Sequence, residues 1–155
     1  MNIGDKFPDL LGVDAEGKDV RLSDFPDKKF IIYFYPKDNT SGCTLEAVSL
    51  RDNYRTFLDM GYQIIGVSKD SEASHRKFAE KQCLPFPLVA DTDVRLCEKA
   101  GVWAVKKMAG REYLGILRTT FICDHDGTVI DKVKTKAAAE QLFELLDGRN
   151  NPNPA

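Results

Sequence analysis

Four cysteines, at positions 43, 83, 97 and 123, are the side chains of this sequence best suited to covalent chemistry. None belongs to a C-x-x-C pair, which argues against a thioredoxin-type dithiol site and against a zinc ribbon. His75 and His125 lie far from any paired ligand spacing, so no metal site is expected. Cys43 stands apart through what surrounds it: Tyr33-Phe34-Tyr35-Pro36-Lys37-Asp38-Asn39-Thr40-Ser41-Gly42-Cys43-Thr44-Leu45-Glu46. A buried strand runs into a turn, and the thiol arrives in the first turn of the next helix. Unpaired backbone N–H groups and the positive end of the helix dipole sit there. Both favour thiolate, the nucleophilic form of cysteine. Thr40 can cap that helix and place a hydroxyl beside the sulfur, while Pro36, lacking an N–H, can cover the sulfur from bulk water. Each piece alone is ordinary, since most helix-opening cysteines are inert and Pro or Thr in a turn is common. At this spacing after a buried strand, together they point to a reactive thiol.

The surrounding elements must hold that thiol in place. Lys29 to Tyr35 is β-branched and aromatic and reads as a buried strand ended by Pro36. From Cys43 to Met60 the apolar positions Ala47, Leu50, Tyr54 and Phe57 recur at helical spacing, with Gly61 as the stop. Cys43 shares that stripe, so its sulfur is expected in a pocket at the edge of the core. Further expected elements are a hairpin over Asp9 to Leu22, a strand from Tyr62 to Val67, and a helix from Ser71 to about Gln82, stopped before Pro85. A strand from Phe86 to Ala90 and a helix to Ala100, capped by Asp91 or Thr92, come next. Strands Gly115 to Cys123 and Thr128 to Lys134 flank the turn Asp124-His125-Asp126-Gly127, and Ala137 to Leu146 is the last helix. Strands alternating with helices imply an α/β fold with a mixed sheet.

The 155 residues fit one domain, taken here as 1–148, with 149–155 as a disordered tail. A net charge of -2 offers no electrostatic case for nucleic acid or an anionic membrane. The start, Met1-Asn2-Ile3-Gly4-Asp5-Lys6, has no apolar signal region, and Phe30 to Tyr35 is too short to span a bilayer. Four thiols in a domain that needs no disulfide staples suit a reducing compartment, so a cytoplasmic location is expected.

The motif Pro36-x-x-x-Thr40-x-x-Cys43 resembles the active site of the peroxiredoxins. The longer run Tyr-Pro-Lys-Asp-x-Thr-x-Gly-Cys-Thr-x-Glu is similar to their bacterioferritin-comigratory, or Q-type, subfamily. Gly4-Asp5-Lys6-x-Pro8-Asp9, Phe86 to Asp91, Gly101-Val102-Trp103 and Gly115 to Phe121 resemble later landmarks, so the likeness spans nearly the whole chain. It implies a thioredoxin-like fold, a central mixed sheet flanked by helices with an N-terminal hairpin. It also implies a thioredoxin-dependent peroxidase, reducing hydrogen peroxide and organic hydroperoxides through a Cys43 sulfenic acid, with no cofactor and as a monomer. By the same resemblance Arg118 is the active-site arginine, a permanent cation that stabilises thiolate and orients peroxide together with Pro36 and Thr40.

Two positions depart from the pattern. Ser41 stands where the subfamily usually has proline, and serine still allows the turn. A resolving cysteine is missing from both usual positions, here Val48 and Ala79; Cys83, one helical turn beyond Ala79, is the nearest substitute. Alternatives stay open: a one-cysteine peroxidase reduced by an external thiol, or a redox-sensing interaction protein. A copper-delivery module on the same fold lacks its C-x-x-x-C and ligand histidines. Cys97, Cys123 and Trp103 read as core, and Glu46 either braces the site or complements the helix dipole.

Overall fold

The unbroken apolar run from Phe30 to Tyr35 lies at the centre of the structure, with every side chain buried. Such a run, without polar alternation, suits a strand covered on both faces. The computed structural model describes residues 1–150. In chain order the elements are a hairpin of β1 (Leu10–Val13) and β2 (Asp19–Arg21), β3 (Lys29–Phe34), α1 (Ser41–Asp52), α2 (Tyr54–Asp59) and β4 (Tyr62–Ser68). Then come α3 (Glu72–Gln82), β5 (Leu88–Ala90), α4 (Arg95–Ala100), β6 (Trp103–Met108) and β7 (Arg111–Ile116). The chain continues through β8 (Thr119–Cys123), β9 (Val129–Val133) and α5 (Ala139–Asn150).

The central sheet has the order β5-β4-β3-β8-β9. Strands β3, β4 and β5 run parallel, while β8 and β9 are antiparallel additions, so the sheet is mixed as expected. Alternation splits β3 between two cores. Phe30, Ile32 and Phe34 pack with Ile65, Val67, Val89 and Phe121 under the N-terminal hairpin and α4. Ile31, Tyr33 and Tyr35 face the other helices through Ala47, Leu50, Phe57, Phe78 and Leu142. Each such large side chain contributes about 1.5–3 kcal/mol on burial, so β3 is a firmly anchored platform for the loop that follows it. Gly66 on β4 serves the second core: a Cβ there would meet Tyr33 Cζ at 2.9 Å and Leu88 Cδ2 at 2.8 Å.

Several expected elements differ in detail. The single helix from Cys43 to Met60 is two helices, and α1 opens earlier, at Ser41. The break is at Asn53 (φ -113°, ψ 8°), whose Nδ2 donates to the Ser49 carbonyl at 2.8 Å and so competes with the helical ladder. Helix α4 opens at Arg95, yet the Asp91 carboxylate still accepts from the Leu96 and Cys97 N–H groups at 3.0 and 2.8 Å. Helix α5 starts two residues later than expected, at Ala139, and includes residues 149 and 150 of the expected tail; residues 151–155 lie outside the described residues.

The largest correction concerns Gly115 to Cys123. It is two strands in two sheets, β7 ending at Ile116 and β8 starting at Thr119. Strand β7 pairs with β6 as a separate ribbon, an element with no counterpart in the expected order. Its turn, Ala109-Gly110, has φ of 50° and 78°. Two positive φ angles make the hairpin turn that Asn-Gly or Asp-Gly usually announces, and Ala-Gly does not carry that signal. Arg118 therefore sits at a junction and not within a strand. The junction is pinned where Leu117 N–H donates to the Val102 carbonyl at 2.7 Å and the Thr119 hydroxyl donates to the Leu117 carbonyl at 2.9 Å. No helix among the described residues is long and apolar enough to cross a membrane.

Candidate active site

Strand β3 ends at Phe34, and residues 35–40 turn the chain into α1. Tyr35 N–H still bonds to the Val67 carbonyl at 3.1 Å, and Asn39 takes a left-handed conformation (φ 62°) that asparagine tolerates. Cys43 is thereby placed in the first turn of α1, and only 1% of it is exposed. Its neighbours on the helix, Ala47 and Leu50, belong to the core stripe read from the sequence.

Arg118 reaches this thiol from the β7–β8 junction. One guanidinium nitrogen, Nη2, lies 3.1 Å from Cys43 Sγ, and the other, Nη1, donates to Glu46 Oε1 at 3.0 Å. Glu46 sits one helical turn after Cys43 and is itself 1% exposed. Its second oxygen accepts the Ala137 N–H at 3.0 Å. Glu46 is thus a brace, which decides between its two sequence readings. Burial pushes the Glu46 carboxyl up, against the opposing pull of the Ala137 N–H and Arg118. Burial likewise opposes the charge of Arg118, but the Cys43 sulfur and Glu46 hold it more firmly protonated than an ordinary arginine. The Cys43 sulfur, a fixed cation and the N-terminus of a helix converge here. Such an arrangement can stabilise negative charge that develops on an oxygen brought to the sulfur.

The other expected site residues fall less simply. Thr40 is the N-cap by backbone, but its hydroxyl makes no cap bond and donates to the Lys37 carbonyl at 3.0 Å. Pro36 is half-buried in the loop. Arg118 also lines a cavity of about 400 Å³ with Leu117, Lys106 and Lys134, and Cys43 lies outside that lining. Cys83 is exposed at the end of α3, in a left-handed conformation (φ 52°), with Sγ 3.8 Å from the Glu80 carbonyl. The adjoining Gln82 carbonyl accepts from Arg51 Nη1 at 2.8 Å. Arg51 is eight residues along α1 from Cys43, roughly 12 Å at 1.5 Å per residue. Cys43, Arg118 and Glu46 are brought together, and the polar contact of the Cys83 sulfur is with the Glu80 carbonyl of its own helix. Cys97 and Cys123 are fully buried. Burial raises both thiols, Cys97 further beside Asp91 and Cys123 up to about 12.

Sequence reasoning missed a buried polar group beneath the loop. Asp38 accepts from Tyr35 OH at 2.7 Å, Ser74 Oγ at 2.8 Å and His75 Nδ1 at 2.7 Å. Burial alone would raise its carboxyl, but the bonds from His75, Tyr35 and Ser74 hold it below the usual range. The available signal was helical spacing, since His75 lies three residues before the buried Phe78. Asp38, Asp70 and His75 offer ligand atoms within 4.8 Å of one another, but those atoms are engaged by protein partners.

Residues 3–132 match the AhpC/TSA family. Over 151 residues the chain is 46% identical to peroxiredoxin Bcp of Bacillus subtilis, covering 95% of this chain and 96% of that one. A cysteine-to-serine mutant of Xylella fastidiosa PrxQ is similar in structure, with a TM-score of 0.84 at 31% identity over 98% of this chain and 97% of that one. The Xanthomonas campestris bacterioferritin comigratory protein, described for its alkyl peroxide reduction activity, gives a TM-score of 0.79 at 34% identity, covering 90% and 89%. With a braced cysteine–arginine pair on this fold and a family match over most of its length, the chain belongs to the AhpC/TSA family, as a peroxidase of the Bcp (Q-type) peroxiredoxins.

Proposed function

We propose that Cys43 is the peroxidatic nucleophile of a thioredoxin-dependent peroxidase acting on hydrogen peroxide and organic hydroperoxides. Its thiolate attacks one peroxide oxygen in line, the O–O bond breaks, and two electrons pass from sulfur to the peroxide. The leaving hydroxide or alkoxide takes up a proton, and Cys43 becomes a sulfenic acid. Arg118 orients the peroxide and stabilises the charge that develops on oxygen. Pro36 and Thr40 complete the peroxide site, the Thr40 hydroxyl by rotating from the Lys37 carbonyl toward the sulfur. The observation that carries this reading is Arg118 Nη2 at 3.1 Å from the buried Cys43 sulfur.

In the second half of the cycle, the Cys83 thiol attacks the sulfenic sulfur, water leaves, and a Cys43–Cys83 disulfide forms. A thioredoxin-like dithiol then reduces it by exchange. Disulfide formation needs Cα atoms within roughly 4.4–6.8 Å, so the first turn of α1 and the end of α3 must open. Helix ends are where such opening is least costly. The exposure of Cys83, with its sulfur against the Glu80 carbonyl, also favours a second reading, in which an external thiol attacks the sulfenic acid directly. We further propose that the protein acts as a monomer in a cytoplasmic setting.

Two measurements test the assignment. Cys43→Ser is expected to abolish peroxide turnover while staying folded; retention of more than a few per cent of the wild-type rate defeats it. Non-reducing peptide mass spectrometry after one equivalent of hydrogen peroxide separates a Cys43–Cys83 disulfide from a lone Cys43 sulfenic acid.

A further inference from the structure

Asp38 lies between β3 and α1, in the loop that delivers Cys43, and its side chain is buried although the loop around it is largely exposed. Both of its halves are tied to elements beyond the loop. Its N–H donates to Asp70 Oδ2 at 2.7 Å, just after β4. Its carboxylate takes Ser74 Oγ and His75 Nδ1 from the first turns of α3, besides Tyr35 OH from its own loop. His75 is fully buried, and its other nitrogen, Nε2, faces the Val89 carbonyl of β5 at 3.1 Å and Ser68 Oγ at 3.4 Å. Because a carboxylate only accepts, Nδ1 is the donor on the Asp38 side.

Neither residue has a place in the peroxide chemistry. The sulfur's polar partner is Arg118, and Arg118 is braced by Glu46. An apolar pair could fill the same space with less desolvation. What the polar pair adds is direction: a short hydrogen bond fixes where the loop backbone runs, five residues before Cys43. We infer that Asp38 and His75 are positioning residues for the peroxide step, holding the Pro36–Thr40 loop against α3 so that α1 presents Cys43 to Arg118. This rests on the reading of Cys43 as the nucleophile. The loop is otherwise a five-residue stretch with an exposed Thr40 and a left-handed Asn39, and an unanchored loop samples many other conformations.

Two substitutions of His75 separate direction from packing. An asparagine amide nitrogen falls near the position of Nδ1, and a glutamine amide nitrogen falls near that of Nε2. The readout is the single-turnover rate constant for Cys43 oxidation by hydrogen peroxide, taken well below each variant's Tm. His75→Gln leaves the Asp38 carboxylate short of a donor and is expected to slow oxidation by about tenfold or more. His75→Asn restores that donor and is expected to recover the rate to within about threefold of wild type. A general packing role would not separate the two, so equal rates in both variants, slow or fast, overturn the inference. If His75→Gln does not fold, Ser74→Ala removes a different donor to Asp38 from a partly exposed position. There, a rate about threefold slower supports the inference, and an unchanged rate overturns it. If wild-type Cys43 is itself not oxidised, the failure belongs to the nucleophile assignment and is recognised as such.

Discussion

Replacing Arg118 removes a side chain that touches both the Cys43 sulfur and the Glu46 carboxylate. Its two contacts, 3.1 Å to Cys43 and 3.0 Å to Glu46, use different nitrogens of one rigid plane. At 4 Å and an effective dielectric near 20, two unit charges interact by about 4 kcal/mol. Arg118 is only 22% exposed by side chain, so screening by water is partial. Part of this attraction already exists before reaction and does not accelerate it; what counts is the share gained as charge spreads onto the peroxide oxygen. Losing one donor aimed at such charge costs roughly 2.7–4 kcal/mol, so Arg118→Ala is expected to slow Cys43 oxidation by about 10²–10³-fold. Arg118→Lys keeps the charge, but its single nitrogen cannot meet both Cys43 and Glu46, so a rate between alanine and wild type is expected. Stopped-flow mixing with hydrogen peroxide, with Tm recorded alongside, measures both. A folded Arg118→Ala within about threefold of wild type, at a pH where Cys43 is reactive, refutes the role of the guanidinium.

Cys83→Ser is expected to leave the first oxidation of Cys43 intact but to cripple thioredoxin-linked turnover and let Cys43 over-oxidise; normal cycling leaves Cys83 as surface. Glu46 titrates above its unfolded value because it is buried, so its proton stabilises the folded state. That contribution is present below about 4.5 and is lost as pH rises through the folded value. Urea unfolding at several pH values is therefore expected to show wild type losing stability relative to Glu46→Gln as pH rises above 4.5; a flat difference counts against the shift. Cys97 and Cys123 are expected to resist iodoacetamide in the native protein at pH 8 while exposed Cys83 is modified, and prompt labelling of either buried thiol contradicts their burial.

Much of the local chemistry was legible because it is local. Pro36, Thr40 and Cys43 share one strand–turn–helix segment, and side-chain alternation in β3 and the helical stripe through Ala47 and Leu50 orient it without distant contacts. Where local rules compete, they misled: Asn53 broke a helix by bonding to Ser49, and an Ala-Gly turn hid the β6–β7 ribbon. The stripe correctly placed Cys43 against the core, but not the degree of closure around the sulfur.

The rest depends on pairings between distant segments. Arg118 is 75 residues from Cys43, and family likeness, not spacing, singled it out. It reaches the sulfur because β3 and β8 pair with Phe34 opposite Thr119, which sets the β7–β8 junction beside the loop leaving β3. Asp38 meets His75 across 37 residues because β4 lies parallel to β3 and feeds α3 back over the loop. The same packing keeps Cys83 at the far end of α3, near Arg51, although its helical face looked suitable. Residue type and spacing thus singled out the candidate thiol and most of the elements around it, since the torsional and hydrophobic preferences that set them act over a few neighbours. Which cation, brace and anchor surround that thiol was decided by sheet register, which no stretch of sequence specifies alone.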